Sequence, residues 1–382
     1  MRHEDQVALA KRLLACEETG QTASAGGMRS QPTSVYTDPE LQEREIDAFF
    51  LHQPLVACLS PDLPEPGSFL TQTLMDTPVL ISRGLDGQVR AFLNACPHRG
   101  TRVEAEPCGT RKLFTCPFHG WSFATEGHVV AIPKAECFGQ TPAETAGLSE
   151  LPCAEKYGIV WIRLRPGPPI DPDAQLGPLR DEIASWDVGK TVTVDTDRLD
   201  ARINWKMAVD TFGETYHFAV LHQTTISNYF HSNLQAYDVF GRNHRMCFVS
   251  KNISELRSLP ESEWNVRPYT LMAYYLFPNT QLLITGGGAQ LFRIFPQAGA
   301  VGQSQTHFSF YALPEALAAN GMETTLGFSK LAKTIVQLED YATAETAQAN
   351  LASGLQRQVI FGDNEPALHH YHATYEAALS EW

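Results

Sequence analysis

Residues 96–123 read CPHRGTRVEAEPCGTRKLFTCPFHGWSF, which sets Cys96 beside His98 and Cys116 beside His119. As a pattern this is C-x-H-x17-C-x2-H: two soft thiolates and two imidazoles. Such a set suits either a tetrahedral zinc ion or a [2Fe-2S] cluster with two thiolates on one iron and two imidazoles on the other. Zinc ligands usually come as pairs of like type, C-x2-4-C and H-x3-5-H, whereas each short loop here supplies one of each. Mixed loops favour the cluster, which lies between them and turns a different iron toward each ligand type. Pro97 and Gly100 in one loop, and Pro117 and Gly120 in the other, fix tight turns and let backbone N–H groups approach sulfur. Cys108, between the loops, reads as a plain buried thiol.

A cluster of this kind moves one electron and makes no product, so the remaining two hundred or so residues need a purpose of their own. Residues 204–225, NWKMAVDTFGETYHFAVLHQTT, contain Glu214, His217 and His222 as E-x2-H-x4-H in an otherwise helical pattern. On an ideal helix, positions i and i+5 diverge by roughly 140°, so both imidazoles reach one ion only where the helix is distorted or ends. Read from spacing alone, the two histidines are either metal ligands or ordinary helix residues.

CPHRG and CPFHGW resemble the Rieske loops in the large (alpha) subunit of non-haem iron ring-hydroxylating oxygenases. Respiratory Rieske proteins carry an extra, disulfide-paired cysteine in each loop, where this chain has Thr101 and Phe118. Asn204, Trp205 and Lys206, then an acid, His217 and His222, are similar to the family's mononuclear-iron motif. VQLEDYATAETAQANLASGL, 336–355, resembles its late helix, with Asp340 in the ligand position and Glu339 and Glu345 as competitors. The resemblance implies a two-histidine, one-carboxylate triad of His217, His222 and Asp340. Zinc could sit on such a triad as well, but an electron-carrying cluster is useful only to a redox-active metal, which selects Fe(II) and O2 as co-substrate. The resemblance further implies that Glu214 bridges a mononuclear-site histidine to a Rieske histidine of a neighbouring subunit, and hence a homotrimer. Most relatives have Asp at that position; those acting on quaternary ammonium compounds also use Glu. DPELQEREIDAFF, YYLFPN and FGDNEPALHHYH are similar to further family segments. His369, His370 and His372 in the last of these are read as packing residues rather than a metal cluster.

These residues must be positioned by larger elements. Residues 1 to about 20 suit an amphipathic helix and QTASAGGMRSQPTS a linker, so 1–35 is set apart. From 36 to 165 the pattern is strand-like, and Asp86-Gly87 between two alternating runs is a hairpin signal. RPGPPIDPDAQLGP, 165–178, is dense enough in Pro and Gly to stop helix and strand and marks a boundary. Beyond it, 166–382 alternates strands (TVTVDTD, MCFVSKN, TLMAYYLF, QLLITGG, QLFRIFP, QTHFSFYAL) with helices near 204–222 and in 322–355. The expected fold is α+β: an N-terminal all-β Rieske domain and a C-terminal antiparallel-sheet-and-helix catalytic domain, helix-grip-like as the resemblance implies.

At 382 residues, 43% of them hydrophobic, the chain is long enough for two cores. Its net charge of −14 argues against nucleic acid or an anionic membrane as the main partner. The N-terminus lacks a signal-peptide stretch, and eight thinly spread cysteines fit a reducing cytoplasm. Val209, Phe212, Phe218 and Leu221 beside the candidate ligands suggest an apolar cavity. The leading expectation is the oxygenase component of a Rieske-type hydroxylase acting on an aromatic or similar apolar carboxylate or other small organic substrate. Without a flavin or nicotinamide motif in this chain, NAD(P)H would serve only indirectly, through a separate reductase with or without a ferredoxin. Two alternatives are a monooxygenase demethylating or hydroxylating a quaternary ammonium or N/O-methyl compound, and a non-catalytic Rieske electron carrier with a ligand-binding domain. A zinc protein is a third.

Overall fold

Val79–Leu80–Ile81 and Ala91–Phe92 are the buried halves of the hairpin that Asp86-Gly87 marks in the sequence. Thr77–Arg83 pairs antiparallel with Val89–Leu93, and Gly87 takes φ 82° in the turn, a conformation glycine adopts at no steric cost. The computed structural model describes residues 1–139 and 146–382. Contacts divide these into two units, one of Phe49–Gln175 and one of Met1–Ala48 with Leu176–Trp382.

In the unit 49–175 the hairpin belongs to a five-stranded sheet ordered Glu150–Leu151, Val89–Leu93, Thr77–Arg83, Ser68–Leu74, Cys108–Thr110. Two three-stranded sheets complete the unit: Cys153–Lys156, Ile159–Ile162, Leu55–Leu59, and Leu113–Thr115, Ser122–Ala124, Val129–Ala131. Phe69, Phe92, Phe114, Trp121 and Phe123 form one core that also holds Cys96 and Cys116. Burying each such ring contributes about 1.5–3 kcal/mol. Two expectations are corrected. Cys108 is exposed, because its strand is the outermost of the five-stranded sheet and all three of its residues face solvent. The Pro-rich boundary is not free of helix: Pro172–Leu176 forms a short one, with Asp171 Oδ1 accepting the backbone N–H of Asp173 at 2.9 Å. Aspartate before a proline-initiated turn is a favourable helix start.

The other unit is built on one antiparallel seven-stranded sheet, whose strands we number β1 Val192–Ala201, β2 Phe230–Phe240, β3 Asn243–Ser250, β4 Thr270–Leu276, β5 Thr280–Thr285, β6 Gly288–Gln297 and β7 Ala300–Ala312. Their order is β1-β7-β6-β5-β4-β3-β2, a meander closed on one side by the first strand. Strand β2 goes unread in the sequence because FHSNLQAYDVF keeps no sustained apolar–polar alternation, and its central Leu234–Ala236 alone is buried. Helices lie against this sheet: Trp205–Asp210 on β6 and β7, and Pro314–Thr334 on β7 and β1. The latter runs through a π-helical turn, Ile335–Tyr341, into Ala342–Ala352.

The first 48 residues join this unit. His3–Thr19 forms the expected helix and buries Leu9, Ala10, Leu13 and Leu14. The expected linker contains a strand, Arg29–Pro32, paired with Gln358–Phe361. Residues 36–48, read in sequence with the Rieske domain, group instead with 176–382. The Tyr36 hydroxyl reaches Asp210 Oδ2 at 2.5 Å and His372 Nε2 at 3.1 Å, and the Glu45 carboxylate takes the Lys206 ammonium at 2.6 Å. Among the described residues no helix is long and apolar enough to cross a membrane.

Candidate metal centres

In the unit 49–175, Cys96 follows the strand Val89–Leu93, and Cys116 opens the turn between Leu113–Thr115 and Ser122–Ala124. The two turns repeat one hydrogen-bond pattern. Cys96 N–H donates to Thr101 O and Gly100 N–H to Cys96 O, both at 2.8 Å; Cys116 N–H donates to Trp121 O at 2.8 Å and Gly120 N–H to Cys116 O at 3.0 Å. Gly100 and Gly120 share φ 76°. Both cysteines are buried, whereas His98 is half-buried and His119 exposed, with ring centroids 4.6 Å apart. Trp121 stacks on His98 at 5.2 Å. Burial pushes the Cys96 thiol up; the His98 backbone N–H opposes that and the neighbouring Cys116 adds to it. A thiolate in such a place needs bound positive charge. Two buried sulfurs below two adjacent imidazoles at the surface fit a cluster with unlike ligands on its two irons.

The second centre lies in the other unit. Asn204 caps the helix Trp205–Asp210 through Oδ1, which accepts the Lys206 N–H at 2.9 Å. The helical pattern of 204–225 does not run through. It breaks after Asp210, and a short helix, Phe218–Leu221, follows with His217 before it and His222 after it. At the break, a Cβ on Gly213 would stand 2.5 Å from Leu368 Cδ1 and 2.7 Å from Tyr371 Cε2, so the chain passes there only without a side chain. Because the helix ends at His222, at φ −102° and ψ 32°, the i,i+5 divergence disappears and both rings turn to one point.

Asp340 arrives from the π-helical turn, buried. The three donor atoms form a nearly equilateral triangle: His217 Nε2 to His222 Nε2 is 3.1 Å, His222 Nε2 to Asp340 Oδ1 3.2 Å, and His217 Nε2 to Asp340 Oδ1 3.5 Å. Octahedral and tetrahedral ligand edges are about 3.0 and 3.4 Å for bonds of about 2.1 Å, so the triangle spans one face of a metal and leaves the opposite face open. Among the described residues this is the group of His, Cys, Asp or Glu whose donors converge as one ion requires.

Each ring is held from behind. Nδ1 of His217 meets Glu214 Oε1, and Glu214 Oε2 accepts the backbone N–H of Tyr216 and, at 3.1 Å, of His217. Nδ1 of His222 meets Glu339 Oε2 at 2.5 Å, and the Thr225 hydroxyl donates to the same oxygen at 2.9 Å. Carboxylates behind metal-binding imidazoles fix the tautomer and raise ligand basicity. Burial opposes charge on His222, but Asp340 and Glu339 outweigh it and raise its pKa. Burial raises that of Asp340 against the pull of both histidines. Three carboxylates around two imidazoles thus leave excess negative charge that a divalent cation would balance.

Glu339, read in sequence as a competitor for the ligand position, orients His222 instead. Glu345 binds Arg202, at 2.9 Å to its N–H and 2.8 Å to its guanidinium, away from the donors. His369 meets Gly362 O, His370 meets His244, and His372 meets Tyr36 and Asp210, so none joins the triangle.

Beside the donors opens a cavity of about 480 Å³. Phe212 and Phe218 line it as expected, but Val209 and Leu221 do not: Val209 is fully buried on the helix Trp205–Asp210, and Leu221 is only half-buried. The rest of the wall comes chiefly from the aromatic-rich strands, with Phe248, Leu271, Leu283, Phe292 and Phe310 on β3 to β7, and from Phe328 on the helix Pro314–Thr334. In a strand pattern such side chains are indistinguishable from core. Among the described residues no Lys or Arg lines the cavity.

Two family models match the chain. Residues 184–381 match the family model for the ring hydroxylating alpha subunit (catalytic domain), and residues 53–152 the model for the Rieske [2Fe-2S] domain. The chain is 36% identical over 146 residues to the methanesulfonate monooxygenase hydroxylase subunit alpha of Methylosulfonomonas methylovora, covering 35% of each chain. It is 28% identical over 206 residues to the glycine betaine monooxygenase oxygenase subunit of Pseudomonas aeruginosa (strain UCBPP-PA14), covering 52% of this chain and 48% of that one. These matched stretches span between about a third and a half of the relatives' lengths. In fold it is similar to the crystal structure of the quaternary ammonium Rieske monooxygenase CntA in complex with L-carnitine, with TM-score 0.76 and 18% identity over 91% of this chain and 94% of that one.

Proposed function

The chain belongs to the ring-hydroxylating oxygenase alpha-subunit family, and from that premise we propose that it is the oxygenase component of a Rieske hydroxylase acting on a small aromatic or similar apolar compound. The observation that carries this reading is the triangle of His217 Nε2, His222 Nε2 and Asp340 Oδ1, open on one side to a cavity walled by phenylalanine. When bound, the [2Fe-2S] cluster supplies single electrons and the ferrous ion a site at which dioxygen is activated.

The chain's own residues do the rest. Cys96 and Cys116 hold one iron of the cluster and His98 and His119 the other, and the core around Trp121 keeps the sulfurs dry. His217, His222 and Asp340 hold the mononuclear ion, with Glu214 and Glu339 fixing the two rings. The apolar walls exclude water and hold the substrate near the donor face without occupying it. Glu214, behind His217, is assigned the bridge to a Rieske histidine of a neighbouring subunit in a homotrimer, fed by a separate reductase in the cytoplasm.

A second reading, oxidation of a quaternary ammonium compound, has the phenylalanine faces in its favour, since aromatic faces attract such cations. Iron analysis and oxygen uptake test the proposal. About three irons per chain are expected from the cluster and triad together. His217→Ala should leave about two, keep the cluster colour and abolish substrate-dependent oxygen consumption with a reductase. A wild-type chain with only the cluster irons would be an electron carrier. A colourless one would be a zinc protein.

A further inference from the structure

The cavity beside the donor triangle has few polar groups, and most are already engaged. Glu214 and Asp340 serve the donor set. The Thr211 hydroxyl donates to Ala208 O at 2.9 Å, that of Thr325 to Gly321 O at 2.8 Å, and that of Thr285 to Gly288 O at 3.4 Å. Gln290 and Asn320 remain, and Asn320 is exposed. Gln290 is half-buried in β6, opposite Leu283 of β5 and Phe310 of β7, both of which also line the cavity. Its amide is not engaged by another side chain among the described residues. The amide keeps some exposure and is not among the buried groups left without a partner; an apolar molecule that fills the cavity without pairing it would take it from water at a cost.

Its position along the strand matters. Phe292, on the same face of β6, lies 5.0 Å from the ring of Phe212, which belongs to the segment leading to Glu214 and His217. Gln290 is two residues further toward the β5–β6 turn, about 7 Å beyond Phe292 at strand spacing. Its row across the sheet lies between that of Phe292, beside Phe212, and that of Phe248, beside Phe218.

We infer that Gln290 is a specificity-determining residue: its amide hydrogen-bonds a carbonyl or hydroxyl of a neutral, otherwise apolar substrate. This rests on the oxygenase reading and narrows its substrate class. A site built to hydrogen-bond one group rejects the analogue that lacks it. Among the described residues no Lys or Arg lines the cavity, so a carboxylate meets no such cation there, and the amide, which both donates and accepts, suits a neutral carbonyl or hydroxyl.

The test uses the iron-loaded full chain and calorimetric Kd values for a matched set: 2-acetylnaphthalene, its isostere 2-isopropenylnaphthalene, 2-naphthoate and the 2-naphthyltrimethylammonium cation. The wild type should bind the ketone about threefold to tenfold more tightly than the alkene, the range a net hydrogen bond allows. It should bind both ions more weakly than the ketone. Gln290→Met should weaken the ketone alone and bring the ratio near one, and Gln290→Leu should do the same, with thermal midpoints showing that both variants fold. A ratio unchanged in both variants, or tighter binding of either ion than of the ketone, overturns the inference. Oxygen uptake with a reductase separates the two claims. Uptake with an unchanged ratio sinks Gln290 and spares the oxygenase reading, while no uptake with bound ketone sinks the oxygenase reading and this role with it.

Discussion

Glu339 and Asp340 are neighbours in the chain and stand on opposite sides of His222: Glu339 Oε2 is 2.5 Å from Nδ1 of the ring, and Asp340 Oδ1 is 3.2 Å from Nε2. Both come from the π-helical turn Ile335–Tyr341, and the ring sits between their diverging side chains. Glu339→Ala should therefore lower affinity for ferrous ion about 10- to 100-fold, as measured by competition with a chelator. The visible absorbance of the cluster should not change. Equal loss of both metals would show that Glu339 supports the fold and not His222.

Lys206 and Glu45 form a buried ion pair, with the ammonium 2.6 Å from Oε1, and Trp205 Nε1 donates to the same carboxylate at 3.0 Å. Burial lowers the Lys206 pKa and Glu45 opposes that. Lys206→Met should destabilise the protein by about 3–5 kcal/mol, since it strands a buried carboxylate. Lys206→Met with Glu45→Gln should recover part of the loss in urea unfolding. A double variant no more stable than the single would refute the coupling.

Gly100 and Gly120 share φ 76°, where a side chain costs about 1–2 kcal/mol. A Cβ on Gly100 meets nothing within 4 Å, whereas one on Gly120 meets Pro133 Cγ at 3.3 Å. Gly120→Ala should thus lose more cluster than Gly100→Ala, read as visible absorbance per chain after purification. The reverse order would contradict this geometry.

His307, on β7, has its pKa held down to about 3 by burial, with Arg293 and Arg198 adding to the effect. In the unfolded chain it titrates near 6.5. Between those values the unfolded state binds a proton that the folded state refuses, so stability falls as pH drops, by up to about 1.4 kcal/mol per unit. His307→Gln should remove about 2 kcal/mol of the loss between pH 7 and pH 5, measured by denaturant unfolding at both values. Parallel curves for variant and wild type would show that His307 is not the group responsible.

Donor chemistry was legible before any fold was known. C-x-H and C-x2-H offer four candidate ligands in mixed pairs, and E-x2-H-x4-H, with the family resemblance, offers two more on the condition that the helix is distorted or ends there. A local signal also located the hairpin at Asp86-Gly87, since it depends on residues within a few positions; the cap at Asn204 was seen only in the structure. What Glu339 does was not legible, because LED on a helix reads as a solvated charged face, and only the packing of this segment against His222 brings both acids to the ring. The cavity was hidden for a related reason. Strand alternation says that Leu283, Phe292 and Phe310 are turned inward but not whether protein or a void lies opposite. Tyr36 and Glu45 gave no sign that they would join Asp210 and Lys206, some 160 residues or more away in sequence, because buried polar partners are chosen by the packing of whole elements. Sequence by itself determined which atoms could bind metal. Tertiary structure decided which of them converge, what holds them from behind and what space they face, since those relations run between segments that no local rule connects.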